Sequence, residues 1–265
     1  MVCASPRTAG LYVKVSIRFE RINNESGLKM KRPPANEAAK KFVLESFPTC
    51  QAALLGGSVV RGEETSTSDL DIVIIDGTLS SEYRESFHSH GWPIEVFVHT
   101  SQTIRDYFQK DCQRARPSLP RMVSEGTPII DHPIISNLKE EANRLLRDGP
   151  PRWNNQTIDM KRYFLTDALV DFIGSKERGE SIFIAGSIGE SLHEFVLRTQ
   201  GQWIGASKWI IRALKEYDES FAKEYIEAFD QYYQKGNKQP IVKLVDSVLE
   251  PYGGRLFEGF SLGKK

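Results

Sequence analysis

The stretch Asp148-Gly149-Pro150-Pro151 divides the chain into two unlike halves. Two prolines directly after a glycine cannot continue a helix, so one segment ends here and another begins. Strand patterns lie before this break. After it they nearly vanish, and helical patterns run at about 156–174, 187–199, 207–217, 219–234 and 240–249, separated by Gly and Pro. There is no internal repeat and no low-complexity stretch. The chain reads as an α+β half, a small mixed sheet with helices, followed by an all-α helical bundle.

Within the first half, Leu11, Val13, Val15, Ile17 and Phe19 alternate with Lys14, Ser16 and Arg18, a period of two that predicts a half-buried strand. Asn23-Asn24-Glu25-Ser26-Gly27 breaks it. Asn36 is placed to cap a helix reaching about Phe47, with Ala39, Phe42, Val43 and Phe47 facing inward. Ala52 to Gly56 predicts a short strand ending in Gly56-Gly57-Ser58. Leu70 to Ile75 is β-branched and nearly continuous, the pattern of a strand buried on both faces. Pro93 to Val98 predicts a third strand, and helices follow at about 101–113 and 134–147.

Charge narrows the partners. The 265 residues carry 35 basic and 35 acidic side chains, split 19 and 19 before residue 151 and 16 and 16 after it. Neither half is a basic nucleic-acid-binding domain or an acidic tail, although a local patch can hide inside a neutral total. Cys3, Cys50 and Cys112 make no CxxC pair and no even disulfide framework, which suits a reducing compartment. The five histidines sit at no metal-finger spacing. No apolar run approaches the ~20 residues of a membrane span. Arg7, Lys14, Arg18, Glu20 and Arg21 interrupt any signal-peptide core, so a cytoplasmic protein is expected.

The segment Leu54-Leu-Gly-Gly-Ser-Val-Val-Arg-Gly62, followed by Ser68-Asp-Leu-Asp-Ile-Val-Ile-Ile75, carries the chemistry. Glycines after a strand let a phosphate approach the backbone, and the N–H groups of a following helical turn donate to anions. Ser58 adds a hydroxyl, and Arg61 a planar fork suited to phosphate. Asp69 and Asp71, two apart on a strand, point to one face. Their repulsion calls for a divalent cation, and hard oxygen ligands suit Mg²⁺. Glu95 lies within the apolar strand and needs a partner there. If that strand neighbours Leu70–Ile75, three carboxylates gather at one spot. That set can hold two metals ~3.5–4 Å apart for in-line phosphoryl or nucleotidyl displacement.

This run of Gly57-Ser58, Arg61 and Asp69-x-Asp71 at the head of an apolar strand, with Glu95 on a later one, resembles the signature of the polymerase-beta-type nucleotidyltransferase superfamily. Within it the chain is most similar to the antibiotic nucleotidyltransferases of the kanamycin nucleotidyltransferase type. The specific match covers about residues 52–98, and the order of elements agrees to the C-terminus. The resemblance implies that Asp69, Asp71 and Glu95 bind Mg²⁺, and that Gly57, Ser58 and Arg61 hold the phosphates of ATP or another nucleoside triphosphate. The second acid of the kanamycin-type pair is Glu, and here it is the shorter Asp71. The resemblance also places a general base on the first long helix of the second half. Asp171 is the best positional match, with Asp167 four residues earlier on the same face; the family's base is Glu. The family's lysine one turn later is replaced by Ser175, with Lys176 beside it.

Three expectations about organisation follow. Residues 1–29 form an appendage, because the family-like helix and motif begin after Met30. Residues 30–150 form the nucleotidyltransferase domain, and 151–265 a helical acceptor-binding domain. The strand-like stretch at 11–19 either extends the sheet or pairs with a partner chain, which leaves a homodimer open.

Other features carry weaker signals. Gly201-Gln-Trp-Ile-Gly-Ala-Ser-Lys-Trp209 is either a wall for a base or acceptor, with Lys208 near phosphate, or a packed inter-helix corner. Glu190 and Glu194 read as a solvated edge, His193 as structural, His88 and His90 as part of a polar loop, and Tyr225, Phe229, Tyr232 and Tyr233 as core. The expected activity is Mg²⁺-dependent transfer of a nucleoside monophosphate, AMP from ATP, to a hydroxyl of a small acceptor such as an aminoglycoside-like antibiotic. The alternatives are modification of RNA, against which the lack of a basic stripe counts, modification of a protein, and non-catalytic nucleotide binding on the same fold.

Overall fold

The computed structural model describes residues 32–263; the alternating stretch at 11–19 lies outside them. Five strands form one mixed sheet in the order β3-β4-β2-β1-β5. They are β1 (Ala52–Gly56), β2 (Leu70–Ile75), β3 (Tyr83–Ser89), β4 (Trp92–His99) and β5 (Thr127–Ile130). β2 and β4 run parallel, and the other neighbours are antiparallel.

The continuous apolar run of β2 is explained by what covers each face. Leu70, Ile72 and Ile74 pack with Ala38, Ala39, Phe42 and Val43 of α1 (Ala35–Ser46). Val73 and Ile75 pack against α2 (Thr103–Gln113), α3 (Ser118–Glu125) and α4 (Ile134–Asp148), through Phe108, Val123 and Leu138 among others. Alternate residues thus enter two separate apolar layers.

β3, α3 and β5 carry no strong sequence signal. β3 is an edge strand of mostly exposed residues, so burial imposes no alternation on it. It pairs with β4 through the two-residue turn His90-Gly91, both with positive φ, the conformation that a tight hairpin favours. His88 is therefore a strand residue rather than a loop residue, and His90 a turn residue whose Nε2 lies 3.0 Å from Glu45. α3 is masked by Pro117 and Pro120, both tolerated because they fall before and within the first turn. Its N-terminus is held by buried Asp111, whose Oδ2 accepts from the Leu119 N–H at 2.8 Å. β5 is short and carries Pro128 at the sheet edge.

After Pro151 the described residues contain helices and no strand. They are α5 (Asn155–Gly174), α6 (Arg178–Thr199), α7 (Lys208–Tyr217), α8 (Glu219–Lys235) and α9 (Gln239–Leu249). They share a core of their own, in which Phe172, Phe195 and Tyr232 are among the largest fully buried side chains. α6 begins nine residues before the predicted 187. Its N-terminus is capped by Glu177, whose carboxylate accepts from the Gly179 and Glu180 N–H groups. Glycines within α6 obscure its period, and one of them is required by packing. A β-carbon on Gly189 would stand 2.9 Å from the Tyr225 hydroxyl, which donates to the Gly189 carbonyl at 2.7 Å. Tyr225, Phe229 and Tyr232 are buried as expected, while Tyr233 is exposed. No helix among the described residues is long and apolar enough to cross a membrane.

Candidate active site

In the parallel β2–β4 ladder, Asp71 stands opposite Glu95. The antiparallel β1–β2 ladder sets Gly56 opposite Asp71, so the turn that follows β1 rises beside the same carboxylate. Asp69 lies two residues before Asp71, at the entry to β2. These registers bring one carboxylate oxygen from each of Asp69, Asp71 and Glu95 within 4.8 Å of one another. All three residues are partly buried. Burial, with the negative charges of Asp69 and Glu95, pushes the Asp71 carboxyl up to about 6; Arg84 and Arg61 oppose the rise. Arg84 donates to Glu95 from the neighbouring edge strand, so one acid of the three is already matched by a cation.

The donor set fits a hard divalent cation. Mg²⁺ takes oxygens at ~2.0–2.1 Å, so ligands on opposite sides of one ion lie about 4 Å apart. The three carboxylates need only small side-chain movement to meet that spacing. Such an ion would also offset the repulsion that raises the Asp71 carboxyl.

The turn after β1 is tight. Gly57 has φ of 76°, and the Ser58 carbonyl accepts from the Arg61 N–H at 3.2 Å and the Glu63 N–H at 3.0 Å. It is a turn rather than the start of a helix. Ser58 donates to Ser68 Oγ at 3.3 Å, which ties the turn to the segment leading into Asp69.

Gly57, Ser58, Arg61, Asp69 and Asp71 line one cavity of about 290 Å³. Its opposite wall is the segment 202–217, the α6–α7 connection and α7. The segment 201–209 combines a packed corner with a cavity-lining face. Trp203 packs as a corner, its indole N–H donating to the Leu146 carbonyl at 3.0 Å. Trp209 is a wall: the guanidiniums of Arg61, Arg121 and Arg212 lie 5.1, 5.7 and 4.8 Å from its ring centre. Lys208 also lines the cavity. His193, buried at the base of this wall, sits with Nε2 3.1 Å from the Gly205 carbonyl. Arg61 reaches the cavity already engaged, 2.9 Å from Glu125 and 3.2 Å from Glu63. Glu63 in turn meets Arg212 of α7 at 2.9 Å.

Asp171 is not brought to this site. It is exposed in the last turn of α5, and Asp167 is exposed one turn earlier. α5 and α6 pack along one another and are joined by the short connection 175–177, so they run antiparallel. The cavity wall begins beyond the C-terminus of α6. Ser175 meets Ser181 and Lys161 meets Glu194, so Asp171 lies level with the middle of α6, and the rest of that helix puts it roughly 20 Å from the start of the wall. Near Asp171 the chain instead serves a structural end: Lys238 Nζ donates to the Ser175 carbonyl at 2.7 Å and also to that of Phe172, closing the C-terminus of α5.

Sequence reasoning missed Arg116 and Arg121, which line the cavity from the α2–α3 connection and α3. The run Arg114-Ala-Arg116-Pro117 was a visible cluster of charge before a proline, but nothing local says which way it points. Among solved structures the chain is similar to the crystal structure of a nucleotidyltransferase-like protein from Exiguobacterium sibiricum, with a TM-score of 0.44 and 13% identity over 82% of this chain and 74% of that one. No family model matches the chain, and no curated protein does.

Proposed function

We propose that this chain is a nucleotidyltransferase dependent on a divalent cation, transferring a nucleoside monophosphate, AMP from ATP, to a hydroxyl of a small acceptor. The observation that carries the reading is the convergence of Asp69, Asp71 and Glu95 beside the Gly57-Ser58 turn, at the edge of one cavity. Three acids gathered from two adjacent strands raise the energy of the protein alone, and such clusters have a use where a cation and a polyphosphate meet. In this reading residues 57–95 hold most of the nucleotide, and the helical half, the facing wall, mainly serves the acceptor.

Asp69, Asp71 and Glu95 would hold Mg²⁺, which when bound would neutralise the triphosphate and lower the cost of ionising the acceptor hydroxyl. The tight turn at Gly57 borders the cavity, where triphosphate oxygens would lie, and Ser58 adds a hydroxyl there. Arg61, Arg121 and Lys208 bring positive charge to the cavity. Trp209 presents an indole with the guanidiniums of Arg61, Arg121 and Arg212 over its ring, a cationic aromatic wall to the cavity. In the transfer, the acceptor oxygen bonds to the α-phosphorus and the bond from that phosphorus to the bridging oxygen breaks. Pyrophosphate departs with the electron pair. The hydroxyl proton goes to a carboxylate of the Asp69, Asp71 and Glu95 cluster.

The test is pyrophosphate release from ATP, with and without Mg²⁺, across a panel of hydroxyl-bearing acceptors. Asp69→Asn should reduce it by at least ~10³-fold while leaving the melting temperature near wild type, since an amide cannot balance the cation's charge. Near-normal release by Asp69→Asn would overturn the assignment. Metal-independent nucleotide binding without any release would favour a non-catalytic nucleotide-binding protein.

A further inference from the structure

A second concave surface adjoins the cavity and shares Arg116 and Ile204 with it. Its volume is about 460 Å³. Five cations line it, Arg114, Arg116, Arg152, Lys161 and Arg198, against the single carboxylate of Glu194. Lys161 is neutralised by Glu194 at 2.7 Å, and Arg114 pairs with Asp111 at 2.6 Å. Arg116 and Arg152 make no ion pair among the described residues. This is a local basic patch drawn from two halves that each carry zero formal charge.

Arg198 is the telling member. It is only 5% exposed, lies on α6, and makes no salt bridge. One guanidinium nitrogen donates to the Pro151 carbonyl, and the guanidinium sits 5.2 Å from the centre of the Trp153 ring. Its Nε is buried with no hydrogen-bond partner. Burial pulls this group's pKa down, with only Glu194 opposing. That Nε is shielded from the pocket, but the side chain lines it, and a buried guanidinium with no carboxylate of its own is costly unless an anion lies beside it. Arg152, an exposed residue of the same lining, packs its guanidinium against Gly201.

The geometry points to an anion site in which Arg116, Arg152 and Arg198 hold a phosphate group of the acceptor, with the acceptor's hydroxyl reaching past Arg116 into the metal-binding cavity. The proposal rests on the nucleotidyl-transfer reading of that cavity and sharpens it: the acceptor is a phosphorylated molecule. A polycationic aminoglycoside would meet like charge here. Guanidinium forks match phosphate oxygens in geometry and charge, and charge-assisted bonds of this kind are the strong ones.

Calorimetric titration of the full chain with inorganic phosphate, in EDTA and without nucleotide, reads the pocket alone. Wild type is expected to bind, and Arg152→Glu to weaken binding at least tenfold; this variant alters an exposed side chain and should fold. Arg198→Lys, checked by melting temperature, is a second probe and should weaken binding at least fivefold. The same titration with saturating ATP and Mg²⁺ should give an unchanged phosphate affinity. Absence of binding, indifference to both substitutions, or competition by ATP would overturn the proposal, the last because the site would then belong to the triphosphate. The transfer assay supplies the second arm, with matched acceptor pairs: ribose with ribose 5-phosphate, and glycerol with glycerol 3-phosphate. The phosphorylated member should show a KM at least tenfold lower, and Arg152→Glu should erase that preference. Equal use of both members in wild type would also overturn it. Phosphate binding is measured without metal or nucleotide, so failure of nucleotidyl transfer itself would show separately, as no release from any acceptor by a protein that still binds phosphate.

Discussion

A β-carbon placed on Gly57 would stand 2.1 Å from Oδ2 of Asp71. The turn after β1 and the central acid of β2 are therefore fitted against one another, with no room for a side chain between them. Gly57 also has φ of 76°, where an L-residue is strained by about 1–2 kcal/mol. Gly57→Ala should destabilise the protein by at least that amount and displace the Asp71 carboxylate. Mg²⁺ affinity, measured by titration calorimetry, should fall at least tenfold. Wild-type affinity in this variant would show that Asp71 holds no cation.

The Asp71 carboxyl, pushed up to about 6 by burial and by Asp69 and Glu95, makes a prediction about acidity. The folded chain takes up this proton more readily than the unfolded chain, where a carboxyl titrates near ~3.9. The contribution of Asp71 to stability therefore rises as pH falls through about 6 and levels off near ~4. In EDTA, Asp71→Asn should be more stable than wild type at pH 8 by on the order of 2 kcal/mol. That advantage should shrink by pH 5. Urea unfolding at the two pH values measures it, and a difference that does not vary with pH would refute the assignment of cause.

His193 should show the opposite sign. Burial lowers its pKa, with the Gly205 carbonyl and Glu194 among the groups that oppose the fall. Its Nδ1 is buried without a hydrogen-bond partner, so the neutral ring with its proton on Nε2 is the form that fits, donating to Gly205. The unfolded chain then binds a proton first, and the stability due to neutral His193 is lost as pH drops below ~6.5. His193→Ala should cost about 1–3 kcal/mol at pH 8 and flatten the loss below pH 6. Because Gly205 lines the cavity, the KM for ATP should also rise. An unaltered pH profile in His193→Ala would remove this histidine from the account.

Asp171→Asn tests the placement of α5. A general base is typically worth ~10²–10⁴-fold in rate. At roughly 20 Å from the start of the cavity wall, from the rise of the second half of α6, Asp171 should contribute nothing to proton transfer, and the variant should keep its turnover within about twofold. A hundredfold loss in pyrophosphate release would mean that the base is on this helix after all.

Much of the metal-binding arrangement was legible in the chain itself. The i, i+2 spacing of Asp69 and Asp71, the glycines after β1 and the acid within β4 are local patterns. Strand periodicity converts such patterns into shared faces without further information. Whether β4 neighbours β2 is a condition that local pattern leaves open, and the parallel ladder meets it by setting Glu95 opposite Asp71. β3 and α3 were hidden because an exposed edge strand has no buried face to impose alternation, and because prolines in a first turn resemble a break.

What only the tertiary structure decided is where distant segments meet. Asp167 and Asp171 share a helical face in the sequence, yet the antiparallel run of α5 and α6 carries that face to the end away from the cavity. The basic pocket was invisible for the same reason. Arg116, Arg152 and Arg198 come from the α2–α3 connection, the segment before α5 and the end of α6, within a chain of zero formal charge. Hydrophobic periodicity records what each residue's near neighbours do, and one strand or helix suffices to read it. The meeting of charges from separate elements depends on helix direction and packing, which no local pattern of residues encodes.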